Sequence, residues 1–206
     1  MKISIRSSDV PANGLRVRRA SARQRIEAWQ VPRRLGRFRY RLGFLVNPAG
    51  RGRLLFVGLN PSTASLAETD PTVDVFCRGL AVRNGFRKLE IVNLFGYRST
   101  DKSALPAVPD PVGRMNDRHL AAAVRAADAV LVGWGKYFHP LVRSRADCIL
   151  ALLATAARGP LLAVGVNGDG SPRHPLYQRV DRALRPFAGR SPDHLRPIVR
   201  RGRRAV

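Results

Sequence analysis

The sequence predicts an α/β protein in three layers, with helices on both faces of a four-stranded, mostly parallel central sheet. Four short apolar runs are spaced along the chain, and amphipathic helical patterns separate them. Each run ends in glycine or asparagine followed by a loop, which is typical of strands buried on both faces. The four predicted strands lie at residues 54–57, 89–95, 129–135 and 161–165.

An additional strand is predicted just before this sheet. Between residues 37 and 42, apolar or aromatic side chains alternate with arginines, a period of two that indicates a half-buried strand with a cationic outer face. Arg39 and Arg41 of that face are candidate phosphate contacts. Since a turn at residues 47–52 follows, we expect this strand and residues 54–57 to form an antiparallel hairpin at the edge of the sheet.

Helices are predicted between the strands. Apolar residues at helical spacing cover residues 73–81, 115–127 and 140–157. Thr72 or Asp70 is a suitable cap for the first of these helices. A further short helix is expected to end near residue 184.

The 206 residues are expected to form one domain with two basic extensions. The domain is predicted to cover residues 37–190, and residues 191–206 form a basic tail. Residues 1–36 are basic and weakly patterned, so we expect a flexible arm. A short helix over residues 20–30, docked by Trp29, is the alternative for part of this arm.

The net charge of +23 indicates an acidic polymer as partner. The chain has 37 basic residues against 14 acidic ones, and only four of the basic residues are lysine. Arginine offers a planar fork suited to phosphate, so we expect a nucleic acid, with DNA favoured over RNA. The alternative is a high-GC genome, which explains arginine in place of lysine but not the shortage of acidic residues.

Composition disfavours several other classes of protein. No apolar run approaches the length that spans a bilayer, and the first residues lack the apolar stretch of a signal peptide. The two cysteines, Cys77 and Cys148, are too few for a disulfide scaffold, a four-cysteine zinc site or an iron–sulfur cluster, and we expect buried free thiols. We therefore expect a cytoplasmic protein without membrane contact.

The end of the first predicted strand is the centre of the predicted site. Gly58 can take a backbone conformation closed to other residues or let a ligand approach the backbone closely, and Pro61 cannot continue a central strand. The strand must therefore end here and present Asn60, Ser62 and Thr63 at its carboxyl edge, where open α/β sheets bind ligands. A turn and helix cap without further function is the alternative for this motif alone.

The other strand ends are expected to meet this one. Because parallel strands end at the same edge of a sheet, Asn60, Asn93, Trp134 and the loop that carries His174 should converge. His174 stands out among the four histidines because it lies in a loop rich in glycine and proline after a buried strand.

The other histidines and the aspartates do not indicate a catalytic or metal site. His119 is expected on the surface of a helix, and His139 is expected to cap a helix or line the loop after the third strand. No histidine pair has the spacing of metal ligands, and turns or caps explain most of the aspartates. The sequence contains neither a phosphate-binding loop with its lysine nor a nucleophile elbow.

Several short motifs together carry a family resemblance. They are Gly-Leu-Asn-Pro-Ser-Thr-Ala at 58–64, Asp-Pro-Thr at 70–72, Val-Asn-Leu-Phe-Gly-Tyr-Arg at 92–98, Asp-Pro-Val-Gly at 110–113, Asn-Asp at 116–117, Gly-Trp-Gly at 133–135 and Gly-Ser-Pro-Arg-His-Pro-Leu-Tyr at 170–177. With this combination, the chain resembles a bacterial family called domain of unknown function 1643 over about residues 37–180. That family name carries no activity.

The order of elements also resembles, more distantly, the uracil-DNA glycosylase superfamily. Residues 58–61 are similar to its Gly-x-x-Pro water-activating motif, with Ser62 where the mismatch-specific branch has glycine. Asn93 lies where the superfamily has the asparagine that reads the base. His174 and Pro175 match the first two residues of its His-Pro-Ser motif, and Leu176 replaces the serine that contacts the DNA backbone.

This resemblance implies a hydrolysis that needs no metal or other cofactor. Asn60 would hold the attacking water at the sugar carbon, and His174 would donate a hydrogen bond to the anion that forms on the leaving base. Asn93 offers both a donor and an acceptor to a pyrimidine edge. With two cysteines, the chain should lack the iron–sulfur cluster of some branches.

The resemblance also assigns roles to residues around these three. Leu176 would act as a wedge in the duplex. The candidates for stacking on an extruded base are Phe95, Tyr97 and Trp134. The candidates for phosphate contact are Arg39, Arg41, Arg98 and Arg173.

The leading functional hypothesis is a glycosylase-like hydrolase that removes damaged or modified bases from nucleic acid. One alternative is a non-catalytic nucleic-acid-binding module of the same fold. Another is a hydrolase or transferase of free nucleosides or nucleotides, and a metal-dependent nuclease is the third. The sequence identifies neither the base nor the oligomeric state.

Overall fold

The computed structural model describes residues 15–21, 24–32, 36–62, 78–178 and 183–189. Thr63 of the predicted site, Cys77 and most of the first predicted helix lie outside these ranges. The predicted tail at 191–206 also lies outside these ranges. Part of the predicted short helix that ends near residue 184 lies outside them too.

Within these residues, eight strands form one mixed sheet, so the α/β class is confirmed. The strands are β1 (Leu15–Ser21), β2 (Gln24–Val31), β3 (Arg41–Leu45), β4 (Arg51–Gly58), β5 (Phe86–Asn93), β6 (Ala129–Val132), β7 (Leu161–Ala163) and β8 (Arg185–Pro186). The helices are α1 (Arg78–Arg83), α2 (Asn116–Arg125) and α3 (Pro140–Ala156), with short 3-10 helices at Lys102–Ala107 and Pro175–Tyr177. None of the helices in the described part of the chain is long and apolar enough to cross a membrane.

The strand order across the sheet is β1-β2-β3-β5-β4-β6-β7-β8. The four adjacent strands β5, β4, β6 and β7 are parallel, and the remaining pairs are antiparallel. The chain passes from β4 to its neighbour β5 and then crosses to β6 on the other side of β4. The order of strands therefore reverses between β4 and β6, and ligands of open α/β sheets bind outside the carboxyl ends of the strands at such a point.

The predicted hairpin between β3 and β4 is wrong. β3 pairs antiparallel with β2 on one side and with β5 on the other. Both edges of β4 are already hydrogen-bonded, to β5 and to β6, so the accessible edge for β3 is that of β5. The chain therefore crosses over β5 before it enters the centre of the sheet.

The predicted cationic outer face before β3 is also wrong. Arg39 and Arg41 are buried, whereas Phe38 and Tyr40 are only partly buried. The guanidinium of Arg41 pairs with the carboxylate of Glu90 on β5 and lies 5.1 Å from the centre of the Trp29 ring. A buried counter-charge and an aromatic ring from two neighbouring strands thus make burial of this arginine possible.

Two strands occupy much of the segment where a basic arm or short helix was predicted. β1 and β2 pair antiparallel from Leu15 opposite Gln30 to Ser21 opposite Gln24. β2 then continues the sheet beside β3, with Trp29 and Val31 buried. Residues 24–31 are therefore a strand, and the predicted helix over residues 20–30 is wrong.

Helices pack on both faces of the sheet because the side chains of β4 alternate. Leu55 and Val57 belong to a core cluster with α2 and α3, and Leu54 and Phe56 belong to a second cluster with α1. Burial of each such side chain stabilises the fold by about 1.5–3 kcal/mol relative to leaving it exposed. The alternation along β4 therefore places α2 and α3 on one face of the sheet and α1 on the other.

The predictions for α2, α3, β6 and β7 are confirmed, with ends that differ by a few residues. His139 caps α3, because its Nδ1 accepts a hydrogen bond of 3.1 Å from the Leu141 N–H. Two side chains differ from expectation. Cys148 is exposed on α3, and His119 is partly buried, with its ring stacked on Tyr40.

Candidate functional site

A cavity of about 700 Å³ lies at the carboxyl ends of β4, β5 and β6. This is the edge at which the strand order reverses, and the volume is in the range of small-molecule sites. The loop that follows β7 contributes Arg173 and His174 to the lining of the cavity. The predicted site residues that line it are Arg39, Gly58, Asn60, Ser62, Asn93, Trp134, Arg173 and His174.

Asn60 has a fixed side-chain orientation in this cavity. Its Nδ2 donates hydrogen bonds to the backbone carbonyls of Ser99, at 2.8 Å, and Pro61, at 3.1 Å. Because both carbonyls require a donor, the amide nitrogen must face them and Oδ1 must face the other way. No donor to this Oδ1 is found among the described residues. Asn60 therefore contributes a hydrogen-bond acceptor to the cavity.

Asn93 ends β5 and lies across Gly58 of the neighbouring strand. A Cβ on residue 58 would be 2.7 Å from the Oδ1 of Asn93 and 3.3 Å from the Phe56 ring. Glycine is thus required at residue 58 so that the amide of Asn93 can lie against the backbone of β4. The Asn93 side chain is largely buried, lines the cavity and has no hydrogen-bond partner among the described residues. It is available to a ligand as both donor and acceptor.

The backbone beneath Asn93 is held by side chains from two helices. The Nδ2 of Asn116, the first residue of α2, donates to the carbonyls of Asn93 and Leu94, both at 3.1 Å. Arg145 of α3 donates from Nε to the Leu94 carbonyl at 2.8 Å and forms a two-point ion pair with Asp117. Asn116 is fully buried. These contacts fix the carboxyl end of β5.

His174 is oriented by its own backbone. Its Nδ1 accepts a hydrogen bond of 3.3 Å from the Leu176 N–H, where it caps the short 3-10 helix. A neutral imidazole with an acceptor at Nδ1 carries its proton on Nε2. The ring packs edge-on against Phe56, with 6.4 Å between ring centres. In the neutral form of His174, the N–H donor is therefore on Nε2.

Gly133 seats the His174 loop on the end of β6. A Cβ on residue 133 would be 2.9 Å from the Pro175 ring, 2.8 Å from the Phe56 ring and 3.3 Å from the Arg173 carbonyl. The Gly135 N–H also donates to the carbonyl of Pro172 at 3.0 Å. The loop after β6 and the His174 loop are thus in direct contact. This contact explains why Pro175 is buried although it does not line the cavity.

Asp169 connects the same two loops. Its Oδ2 accepts a hydrogen bond of 3.0 Å from the Tyr137 N–H, and its Oδ1 accepts from the Ser171 N–H and hydroxyl. Burial raises the pKa of the Asp169 carboxyl, but the hydrogen bonds from Ser171 and Tyr137 outweigh it and hold the pKa below its ordinary value. The carboxylate is therefore charged at neutral pH and fastens the loops together.

A family model described as "Protein of unknown function (DUF1643)" matches residues 39–176, about two thirds of the chain. The chain belongs to the DUF1643 family. The match extends over the cavity-lining residues from Arg39 to His174. No curated protein matched the chain.

The cavity of this DUF1643 protein has more basic than acidic side chains. Arg39, Lys102, Lys136 and Arg173 line it, against the single carboxylate of Asp101 among the described residues. Hydrogen bonds from the Ser103 hydroxyl and N–H lower the pKa of the Asp101 carboxyl. The cavity therefore favours an anionic ligand.

Lys102, Lys136 and Phe56 are among the contributors to the DUF1643 cavity that sequence reasoning missed. Lys102 and Lys136 lie in the loops after β5 and β6, and both are exposed. They are two of the four lysines of a chain dominated by arginine, and this rarity was the signal that could have found them. Phe56 was assigned to the core alone, but its ring also lines the cavity and supports His174.

Seven predicted site residues in the described part of the DUF1643 protein do not line the cavity: Arg41, Pro61, Phe95, Tyr97, Arg98, Pro175 and Leu176. Phe95 is fully buried in the core cluster with α2 and α3. Tyr97 packs edge-on against Phe38, with 6.0 Å between ring centres, and Arg98 donates from Nη1 to the Gly36 carbonyl. Arg41 is engaged with Glu90, and Leu176 is partly buried beside His174.

The remaining predicted residues of the DUF1643 site have structural contacts. Pro61 is buried, and its carbonyl accepts from both Asn60 and the Ser99 N–H. Trp134 lines the cavity but is only 2% exposed, and its ring packs edge-on against Phe187. The described residues contain no cluster of three or more histidine, cysteine, aspartate or glutamate side chains that could hold a metal ion.

Proposed function

We propose that this DUF1643 protein acts on nucleic acid as a glycosylase-like hydrolase that removes a damaged or modified base. The observation that carries the proposal is one cavity lined by Asn60, Asn93 and His174, each from a different strand end. The four adjacent parallel strands β5, β4, β6 and β7 support the finer proposal of a core like that of the uracil-DNA glycosylase superfamily.

The reaction cleaves the N-glycosidic bond with water. The water oxygen forms a bond to the sugar carbon, the electron pair of the broken C–N bond goes to the base, and the water proton is released. Asn60 suits the first step because its amide hydrogens are used by the Ser99 and Pro61 carbonyls. Its Oδ1 can therefore accept a hydrogen bond, and a water molecule can donate one.

His174 suits the second step. Negative charge develops on the leaving base, and a fixed N–H donor stabilises that charge without having to reorganise. The Nδ1 contact to Leu176 puts the imidazole proton on Nε2, the atom that such a donor needs. A neutral imidazole is sufficient for this role.

Asn93 suits recognition of the base. Its amide has a donor and an acceptor side by side, as a pyrimidine edge requires. A base can reach the cavity only after it leaves the helical stack, and unpaired or damaged bases do so at least cost. The net charge of +23 and the basic lining of the cavity favour the phosphates around such a base.

The direct test is single-turnover cleavage of oligonucleotides that carry uracil, hypoxanthine or another altered base. We expect an abasic product from at least one substrate, and loss of at least about a hundredfold in rate for Asn60→Ala and for His174→Ala. His139→Ala is a matched control, because His139 makes the same capping contact through Nδ1 but is exposed on α3. Binding of DNA without an abasic product from any substrate contradicts the proposal.

A non-catalytic nucleic-acid-binding module is the second candidate. Two departures from the superfamily motifs favour it, Ser62 in place of glycine and Leu176 in place of serine. This alternative predicts tight, salt-sensitive binding that survives Asn60→Ala and His174→Ala, with no cleavage by any variant.

A further inference from the structure

An aromatic ring lies beside the basic mouth of the cavity. Phe138 is 38% exposed, whereas large apolar side chains in the described residues are otherwise mostly buried. The ammonium of Lys102, a residue that lines the cavity, lies 5.4 Å from the centre of the Phe138 ring. Lys136, which also lines the cavity, precedes Phe138 by two residues on the same loop. We call Lys102, Lys136 and Phe138 the rim.

The rim joins two loops that the fold brings together. Lys102 begins the 3-10 helix that follows β5, and Phe138 lies between β6 and α3. Asp169 holds the second loop through the Tyr137 N–H, next to Phe138. Asp169 therefore holds the backbone next to Phe138, and the Lys102 ammonium lies over the ring.

This arrangement fits one class of ligand. The phosphate and the base of a nucleotide are joined through one sugar, so a site for both needs a cation and an aromatic face side by side. A base can stack on a protein ring only if it is not stacked in a duplex at that face. A free nucleotide has no neighbouring nucleotide, so it would not use a cation and an aromatic ring that lie outside the cavity.

We propose that the rim is a second subsite, which binds the nucleotide next to the one in the cavity. Phe138 stacks on the base of that neighbour with the ring face opposite Lys102, and Lys102 and Lys136 contact the phosphates on either side of the neighbour's sugar. The substrate is then a single-stranded or locally unpaired polynucleotide and not a free nucleoside or nucleotide. This inference rests on the proposed function, since it assigns the cavity to a nucleotide.

The test measures binding of fluorescein-labelled oligothymidylate of about ten nucleotides by anisotropy, with thymidine monophosphate as competitor. We expect the oligonucleotide to bind more tightly than the monophosphate. Phe138→Ala should weaken oligonucleotide binding about tenfold and leave the affinity of the monophosphate unchanged. Val82→Ala, which removes an exposed apolar side chain from α1, is the matched control.

The lysines have a separate readout. Each phosphate contact that is lost should reduce the slope of log K against log salt by about 0.7 for a single strand. We expect this reduction for Lys102→Gln and for Lys136→Gln. Lys88→Gln removes the same charge from β5, away from the cavity, and should leave the slope unchanged.

The outcomes separate the rim from the cavity. If Phe138→Ala binds the oligonucleotide like the wild type while Asn60→Ala weakens binding, the rim subsite is wrong and the proposed function stands. Equal affinity of the protein for the monophosphate and the oligonucleotide would also contradict a second subsite at the rim. If the wild-type protein binds neither, the rim subsite is wrong, and the cleavage test with altered bases decides the proposed function separately.

Discussion

The side-chain oxygen of Asn93 occupies the space that a Cβ on residue 58 would need. The two would be 2.7 Å apart, and the Phe56 ring would be 3.3 Å from the same Cβ. The first of these contacts is closer than real Cβ atoms tolerate, so one of the groups must move. Two strand ends that are remote in sequence thus depend on each other.

Gly58→Ala should therefore displace the Asn93 amide. We expect a loss of stability of about 1–3 kcal/mol, as for other overpacked sites, together with weaker binding of any ligand that occupies the cavity. Urea unfolding and oligonucleotide anisotropy measure the two effects. Gly36→Ala is the control, since a Cβ there meets nothing within 4 Å. Wild-type binding by Gly58→Ala would show that Asn93 does not contact the ligand.

Asn116→Ala should loosen the end of β5. The variant removes the buried donor to the carbonyls of Asn93 and Leu94, and buried groups left without a partner cost about 1–3 kcal/mol. Ligand binding should weaken as well, because Asn93 is then less firmly placed. The comparison is Asn84→Ala, which removes a similar bond to the Leu80 carbonyl at the end of α1. Equal binding by the two variants would contradict a positioning role for Asn116.

Glu90 should be far more important for stability than Asp117. Glu90 is 1% exposed and pairs with both Arg41 and Arg53, so Glu90→Gln removes a buried charge that both guanidinium groups contact. We expect a loss of about 3–5 kcal/mol in the free energy of unfolding. The Asp117 side chain is 60% exposed, and Asp117→Asn should cost at most about 1 kcal/mol. Urea titrations of both variants provide the measurement, and similar losses would contradict this ranking.

Stability should decline in mild acid because of His119. Burial lowers the pKa of the His119 imidazole, and the charges of Arg41 and Arg118 lower it further. As the pH falls below about 6.5, the unfolded chain binds a proton on this residue before the folded protein does. Proton uptake then favours the unfolded state, so the free energy of unfolding falls.

His119→Phe isolates this contribution. The phenyl ring can keep the stack on Tyr40, which is 5.4 Å away between ring centres, but it cannot bind a proton. Between pH 7.5 and pH 5, the wild type should lose more stability than the variant in urea unfolding. Parallel pH profiles for the two proteins would exclude His119 as the cause.

The parts of the fold that follow from local pattern were predictable. The helical spacing from residue 140 onward and the apolar run at 129–132 each describe an element that is stabilised mainly by its own periodicity and by burial. The end of β4 was predictable for the same reason, since Gly58 and Pro61 limit the backbone whatever lies around them.

Other features depend on partners that are far away in sequence. The alternation around Arg41 predicted exposure, but Glu90 lies 49 residues later and supplies the charge that permits burial. The pairing of β3 was missed because it depends on which strand edges β5 and β6 leave accessible. The contact between Lys102 and Phe138 joins two loops that are 36 residues apart in sequence, so no local pattern predicts it.

The cavity has a practical consequence because its walls come from strand ends spread between Arg39 and Gln178. An unfolded chain cannot assemble these groups, so a ligand of the cavity binds the folded state alone. At a concentration of one hundred times its Kd, such a ligand adds about 2.7 kcal/mol to the free energy of unfolding. Thermal shift with a library of bases, nucleosides and nucleotides can therefore reveal the ligand without any assumption about the reaction.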